Sequence, residues 1–386
     1  MSPLELVFTV SLVWLCYAYL GYPLLLVILA QLSRREKVED ASYEPTVTIL
    51  IAAFNEADFI GETLANKLAL EYPAEKVDII VVSDESTDGT DEIVNDAAAA
   101  HPGRIRLIRQ VPRRGKTSGL NLAVPEARGE ILVFSDANSI YEPGALAHLV
   151  GTFADPAIGY VTGKMVYTNP DGSVTGDGCT AYMRYENQLR AGETRVGSVV
   201  GVDGGIDAVR RDLHVQMRAD QLPDFVLPLR VVEQGYRVAY EPRAILRESA
   251  LSSSAQEYRM RVRVTLRALW ALLDLRQLMN PLRYPMFSWQ LGSHKVLRYL
   301  AFIPQIAIFA SNAWLAATGP LWAVLFAAQV LFYLLAGMGY LLSRAKKSFM
   351  PANLAWYFTL LNLACMHACA RFLRGEKQVL WQPRTG

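Results

Sequence analysis

The stretch Ile131-Leu132-Val133-Phe134-Ser135-Asp136-Ala137-Asn138-Ser139 decides how the rest of the chain is read. Four apolar residues in a row read as a short buried strand. The run turns polar at Ser135, so Asp136 stands at the strand's carboxyl end, where open α/β sheets bind their ligands. Asp136 and Asn138 are separated by one small residue. At that spacing two side-chain oxygens can converge on a hard cation, which can in turn hold a diphosphate. A strand ending in a polar turn uses the same residue types. The flanking segments decide between the two.

Working outward, residues 47–52 form a continuous apolar run, as expected of a buried parallel strand. Residues 56–70 have helical spacing, with Ile60, Leu64 and Leu68 four apart. A second strand is expected at 77–82, a helix at 88–100 with Asp88 as its N-cap, and a third strand at 105–108. Strands alternating with helices imply an α/β fold with a mostly parallel sheet. The first strand is followed by Ala52-Ala53-Phe54-Asn55-Glu56. A dinucleotide fold wants Gly-x-Gly-x-x-Gly there, so a dehydrogenase reading is poor.

Polar residues stand at each strand end. Asn55 and Glu56 follow the first strand. Asp84 follows the second, in Ser83-Asp84-Glu85-Ser86-Thr87-Asp88, where a carboxylate can accept hydrogen bonds from a ribose or a base. Arg113-Arg114-Gly115-Lys116 places three cations before a helix start, a favourable setting for a phosphate. Asp136 completes the set.

This ordered set resembles the membrane-bound family-2 glycosyltransferases of the GT-A fold, the broad group that includes cellulose, chitin and hyaluronan synthases. The family's Ala-Tyr-Asn-Glu stands as Ala53-Phe54-Asn55-Glu56, and its Asp-Asp-Gly-Ser-Thr-Asp as residues 83–88. Its Gly-Lys-x-x-x-Leu-Asn runs from Gly115-Lys116 to Leu120-Asn121, and its Asp-x-Asp stands as Asp136-Ala137-Asn138. The resemblance implies a nucleotide-sugar donor, a uridine one. Ala53, Glu56, Asp84, Lys116 and Asp136 would form its site, with Glu56 and Asp84 on the nucleoside and Lys116 on the diphosphate. It also implies Mg²⁺ or Mn²⁺ at Asp136 and Asn138. Asn138 departs from the family's carboxylate, and an amide oxygen holds such a cation more weakly.

Further along, residues 159–165 with Tyr167 read as an added edge strand and 176–191 as a helix. Residues 199–206 form a glycine-rich turn, which either borders the acceptor or is structural. Residues 226–234 have helical periodicity, and 235–242 return as a strand. Sugar transfer with inversion needs a base for the acceptor hydroxyl proton. Asp224 matches the acid the family places at the start of this helix and is the expected base, with Asp220 as its competitor. A helix amino terminus lowers a carboxyl pKa, which works against that role. Gln256-Glu257-Tyr258-Arg259-Met260 resembles the family's Gln-x-x-Arg-Trp, with Met260 in place of Trp. The resemblance puts Gln256 and Arg259 on the acceptor. Arg259, Arg263 and Arg267 lie four apart opposite an apolar stripe, as in a helix lying on an anionic membrane surface.

The chain has 386 residues and a formal net charge of +1, which gives no electrostatic basis for nucleic-acid binding. Mean hydropathy is positive. Residues 6–32 carry no charge, long enough for a retained transmembrane helix, and Arg34, Arg35 and Lys37 then place the following domain in the cytosol. Residues 299–343 are also uncharged and break at Thr318-Gly319-Pro320, as expected of two antiparallel spans returning to Arg344, Lys346 and Lys347. Residues 348–370 are a last candidate span. As a full crossing they would put the basic tail outside, whereas a re-entrant or surface helix would not. The four cysteines are too few and scattered for a disulfide framework, and those in apolar stretches are expected as buried thiols.

The expected organisation is a transmembrane helix and basic stop at 1–38, and a cytosolic GT-A domain at 39–250. Amphipathic interfacial helices follow at 251–298, then two to three transmembrane helices at 299–373 and a tail at 374–386. The function that follows is an inverting glycosyltransferase at the cytoplasmic membrane, multi-pass, building surface glycan on a polysaccharide or lipid-linked acceptor. Other polysaccharide-assembly proteins are its expected partners. Processive synthesis with extrusion and single-sugar transfer both stay open. Outside the enzyme class stands a membrane protein that binds a sugar nucleotide without turning it over.

Overall fold

The structure, a computed structural model, describes residues 1–33, 40, 42–168, 174–249, 253–345 and 347–380. The basic residues Arg34, Arg35, Lys37 and Lys346 lie outside the described residues. One eight-stranded sheet organises the chain. β1 (Val47–Ala53), β2 (Val77–Ser83), β3 (Ile105–Arg109) and β4 (Ile131–Asp136) form a parallel block in the order β3-β2-β1-β4. Every residue of β1 is buried. Ile49 and Ile51 pack with Ile60 and Leu64 on one face, and Leu50 with Leu120 and Phe225 on the other. A strand covered on both faces has no solvent side, so its sequence is continuously apolar rather than alternating.

Register carries this block to the site. Ala52 lies beside Val82 on one neighbour and Asp136 on the other, so the strands end level. The helix expected from residue 88 spans Thr90–Ala100. Its cap position is Gly89, at φ 97°, while Asp88 accepts from the Thr90 amide at 3.1 Å from one residue further back.

The sheet continues beyond β4 through β7 (Asp207–Arg210), β6 (Ile158–Thr168), β8 (Arg237–Ser249) and β5 (Ile140–Tyr141). β6 is therefore interior, not the edge strand expected. It pairs antiparallel with β7 and parallel with β8. Pro242 sits in β8 where the register slips between Thr162 and Lys164 of β6, a bulge that asks no ladder amide of it.

Among the described residues two helices are long and apolar enough to cross a membrane, Pro3–Leu32 and Pro320–Arg344. The first contains a π-helical turn at Tyr17–Gly21. Phe302–Leu315 is shorter than the span expected there, at 14 residues. That length covers about 21 Å of a hydrocarbon core about 30 Å thick. It joins Pro285–Tyr299 at a 54° bend, and a crossing needs both pieces.

The last helix, Met350–Leu373, packs along the helix Ser254–Asp274, with Ala364 and Ala368 against Val262 and Leu266. Protein thus covers Val262 and Leu266 of the apolar stripe of Ser254–Asp274, while Leu273 stays exposed. Arg267, expected on a lipid-facing side, is buried. Beyond Leu373 the chain returns to the α/β domain. Trp270 Nε1 donates to the Glu376 carbonyl at 2.8 Å, and Lys377 Nζ lies 2.7 Å from Asp220. Residues 376 and 377 thus lie on the α/β-domain side. Cys16, Cys365 and Cys369 are free thiols, and Cys16 is exposed rather than buried.

Candidate active site

Asp84, directly after β2, is buried and donates its backbone amide to the Ala53 carbonyl at 2.9 Å. Its carboxylate accepts from the amides of Arg114, at 2.9 Å, and Gly115, at 3.0 Å, and from Gln110 Nε2. Gly115 has φ 90°, a conformation that disfavours a side chain. Asp84 and Gly115 together fold this loop into the start of the helix Lys116–Ala123. Lys116 then reaches Asp136 Oδ1 at 2.5 Å. Burial works against the Lys116 charge. Asp136 and Asp224 outweigh it and hold its pKa above the ordinary lysine value. The tail leans on this turn, since a Cβ on Gly115 would lie 3.1 Å from the Val379 carbonyl.

Asp224 sits in the first turn of the helix Pro223–Glu233. Thr117 Oγ1 donates to the Gln221 carbonyl at 2.8 Å, and Arg267 donates to the carbonyls of Ala219, Asp220 and Gln221. These bonds fix the approach to the helix. Gly204 packs directly on the Asp224 carboxylate, where a Cβ would collide. Asp224 Oδ1 is buried with no hydrogen-bond partner among the described residues. Burial raises the Asp224 pKa above the usual aspartate value, Lys116 opposes the rise and Asp136 adds to it. The depression expected from the helix terminus therefore does not prevail. Asp220, the competing acid, pairs with Arg218 and Lys377. Those partners outweigh its burial and lower its pKa, the wrong direction for a base.

One cavity of about 520 Å³ gathers Glu56, Lys116, Asp136, Asn138 and Asp224 on its walls. Other expected residues fall elsewhere. Ala53 is fully buried behind the wall, and Ala52 lines the cavity instead. Asp84 supports the Lys116 loop from below. Gln256 and Arg259 do not line the cavity, and Arg259 is exposed. From the same helix Met260, Arg263 and Arg267 do so. Residue-pattern reading missed Asp207, a buried carboxylate on β7 whose Oδ2 accepts from the Tyr160 hydroxyl. A lone acid in the apolar run after the glycine-rich turn was its signal. Lys295 also lines the cavity, from a helix that reads as interfacial.

Residues 45–267 match the family model described as "Glycosyltransferase like family 2". The chain belongs to glycosyltransferase family 2. This transferase is 29% identical over 231 residues to the probable glycosyltransferase YdaM of Bacillus subtilis, covering 57% of this chain and 54% of that protein. It is 26% identical over 253 residues to the poly-β-1,6-N-acetyl-D-glucosamine synthase of Staphylococcus aureus, covering 62% of this chain and 59% of that one. The chain thus spans between half and three-fifths of the length of these curated relatives. Among solved structures it resembles the mannosyltransferase PcManGT of Pyrobaculum calidifontis, determined with GDP-Man and Mn²⁺, at a TM-score of 0.74 and 24% identity. That match covers 96% of this chain and 99% of the other, and the fold is GT-A.

The residues at Asp136 test whether a divalent cation fits the transferase. Lys116 occupies Asp136 Oδ1, and Asn138 Nδ2 donates to Glu248 Oε1 at 3.3 Å. Among the described residues no group of three or more His, Cys, Asp or Glu converges as a metal site. One carboxylate and one amide oxygen fit a Mg²⁺-like ion that shares its coordination with phosphates and water. They do not fit an ion held by protein alone.

Proposed function

We propose that this family-2 transferase is an inverting enzyme of the cytoplasmic membrane. It moves a sugar from a uridine diphosphate sugar onto a hydroxyl of a glycan or lipid-linked acceptor. The observation that carries the reading is the Asp224 carboxylate lining the same cavity as the Lys116–Asp136 pair, with one buried oxygen unpartnered among the described residues. Asp224 takes the hydroxyl proton as the acceptor oxygen attacks the anomeric carbon from the face opposite the leaving group. The bond from that carbon to the diphosphate oxygen breaks, and its electron pair leaves with the nucleoside diphosphate. Lys116 offers its ammonium to that departing charge. A divalent cation held by Asp136 and Asn138, when bound, supplies further positive charge to the diphosphate. Met260 on the cavity wall offers no aromatic face to a sugar ring, which favours transfer of one or a few sugars over processive extrusion.

The test is nucleoside diphosphate release by the full chain in lipid, across uridine and guanosine nucleotide sugars with Mg²⁺ or Mn²⁺. One donor is turned over, and Asp136→Ala abolishes release. Asp224→Asn lowers turnover by about 10²- to 10⁴-fold while calorimetry shows unchanged donor binding. Near-normal turnover in Asp224→Asn removes the base assignment, and absence of any donor binding removes the reading as a whole.

A further inference from the structure

The cavity runs beyond Asp224 to the membrane-associated helices, and one of the cations there has no direct partner among the described residues. Most of its cations are engaged. Lys116 pairs with Asp136, Arg190 with Asp203, Arg261 with Glu257 and Arg298 with Glu186. Lys295 lines the cavity but makes no direct hydrogen bond or ion pair among the described residues. The carboxylates that act on it are Glu186 and Glu193. Their oxygens are taken by Arg298 at 2.7 Å, His294 at 3.0 and 2.6 Å, and Tyr22 and the Val200 amide at 2.6 and 3.1 Å. Arg263 lines the same cavity, and its buried Nε has no hydrogen-bond partner among the described residues. An ammonium without a direct acceptor in a partly dehydrated cavity gains from an anion that supplies one.

We propose that Lys295, with Arg263, forms an anion subsite for the phosphate of a lipid-linked acceptor, whose sugar then reaches Asp224. Two observations identify the ligand. The first is spacing. Lys295 Nζ lies against Gly201, and the Asp224 carboxylate lies against Gly204 of the same loop. Three residues span at most about 11 Å, room for roughly one sugar between the bound phosphate and the reacting hydroxyl. The second is the wall beyond Lys295. Leu354, Phe358 and Leu361 of the last helix line it with Tyr19 of the first. Tyr19 and Phe358 meet ring to ring at 5.3 Å. An apolar chain attached to the phosphate would leave along that seam between two helices. A neutral glycan accounts for neither the unbonded Lys295 ammonium nor the apolar exit. The subsite deepens the transferase reading, on which it rests only for the role of Asp224.

The experiment measures binding without donor, so it fails or succeeds independently of turnover. The full chain in phosphatidylcholine nanodiscs is titrated by calorimetry with farnesyl diphosphate, farnesol and inorganic pyrophosphate. Farnesyl diphosphate binds most tightly. Lys295→Met weakens it by about 10- to 100-fold, the range for a lost charge-assisted hydrogen bond. Lys295→Arg restores binding, and Arg263→Gln weakens it as an independent second variant. Unchanged farnesyl diphosphate binding in both Lys295→Met and Arg263→Gln overturns the subsite, as does equal binding of farnesol. Pyrophosphate binding as tight as farnesyl diphosphate overturns the lipid source in favour of a free anion.

Discussion

Asp207→Asn is expected to stabilise the protein at neutral and alkaline pH but not near pH 4. Asp207 is buried on β7, with one oxygen bonded to the Tyr160 hydroxyl and Oδ1 unpartnered among the described residues. Burial is the main cause of its raised pKa, Tyr160 and Lys116 oppose it, and Asp224 and Asp136 add to it, the balance lying at about 8. The ordinary value is 3.8. A raised folded-state pKa contributes stability that is complete below the unfolded value and is lost as pH rises towards the folded one. Between pH 4 and 7 the unfolded chain ionises Asp207 and the folded chain does not. The wild type therefore loses on the order of 4 kcal/mol relative to a variant that cannot titrate. The asparagine keeps its oxygen for Tyr160, and its amide is as unpartnered as the acid's hydroxyl, so those contributions largely cancel. For a domain of this size 1 kcal/mol moves Tm by roughly 2–4 °C, giving a difference of roughly 8–16 °C at pH 7. The assay is thermal melting of both proteins in one detergent, followed by tryptophan fluorescence from pH 4 to 9. The two curves should converge near pH 4 and separate as pH rises, with the variant above. Parallel curves, or a variant less stable at pH 8, would refute the burial argument.

Gly204→Ala pushes a methyl group into the Asp224 carboxylate while the backbone there is unstrained. Turnover should fall about 100-fold, as for a misplaced catalytic group, with circular dichroism and donor binding unchanged. Deleting residues 377–386 removes the Lys377–Asp220 pair and the Val379 contact with the Gly115 turn. Donor KM should rise about two- to fivefold, the scale of an exposed ion pair, with kcat nearly unchanged in steady-state assays. Because burial raises the Asp224 pKa, kcat/KM should climb with pH along an acid limb lying above the ordinary carboxylate range. A limb at or below pH 4 would show that burial does not govern this group.

The four parallel strands were legible because burial on both faces writes itself as an unbroken apolar run, as in Val47–Ala53. Asp136 followed directly as a strand-end residue, Lys116 as a cation at a helix start, and Asp224 through the family resemblance. β7 was not legible. It has four residues, opens on an acid and finds its partners in β4 and β6, far away in sequence. The basic stripe of Ser254–Asp274 was visible, but its direction was not. The same pattern serves a helix on lipid and a helix turning its arginines into a cavity. What chooses is the partner on the apolar face, and that partner is Met350–Leu373.

The sequence by itself determined the α/β order, the membrane-length apolar helices and the residues at each strand end, because local periodicity and motif spacing encode them. The tertiary structure alone decided that burial raises the Asp224 pKa where the helix terminus by itself would lower it, that Lys295 faces the same cavity, and that the tail braces the Gly115 turn. Each of these depends on burial and on which distant charges come together, and desolvation and Coulomb energies are set by distance in space, not by separation along the chain.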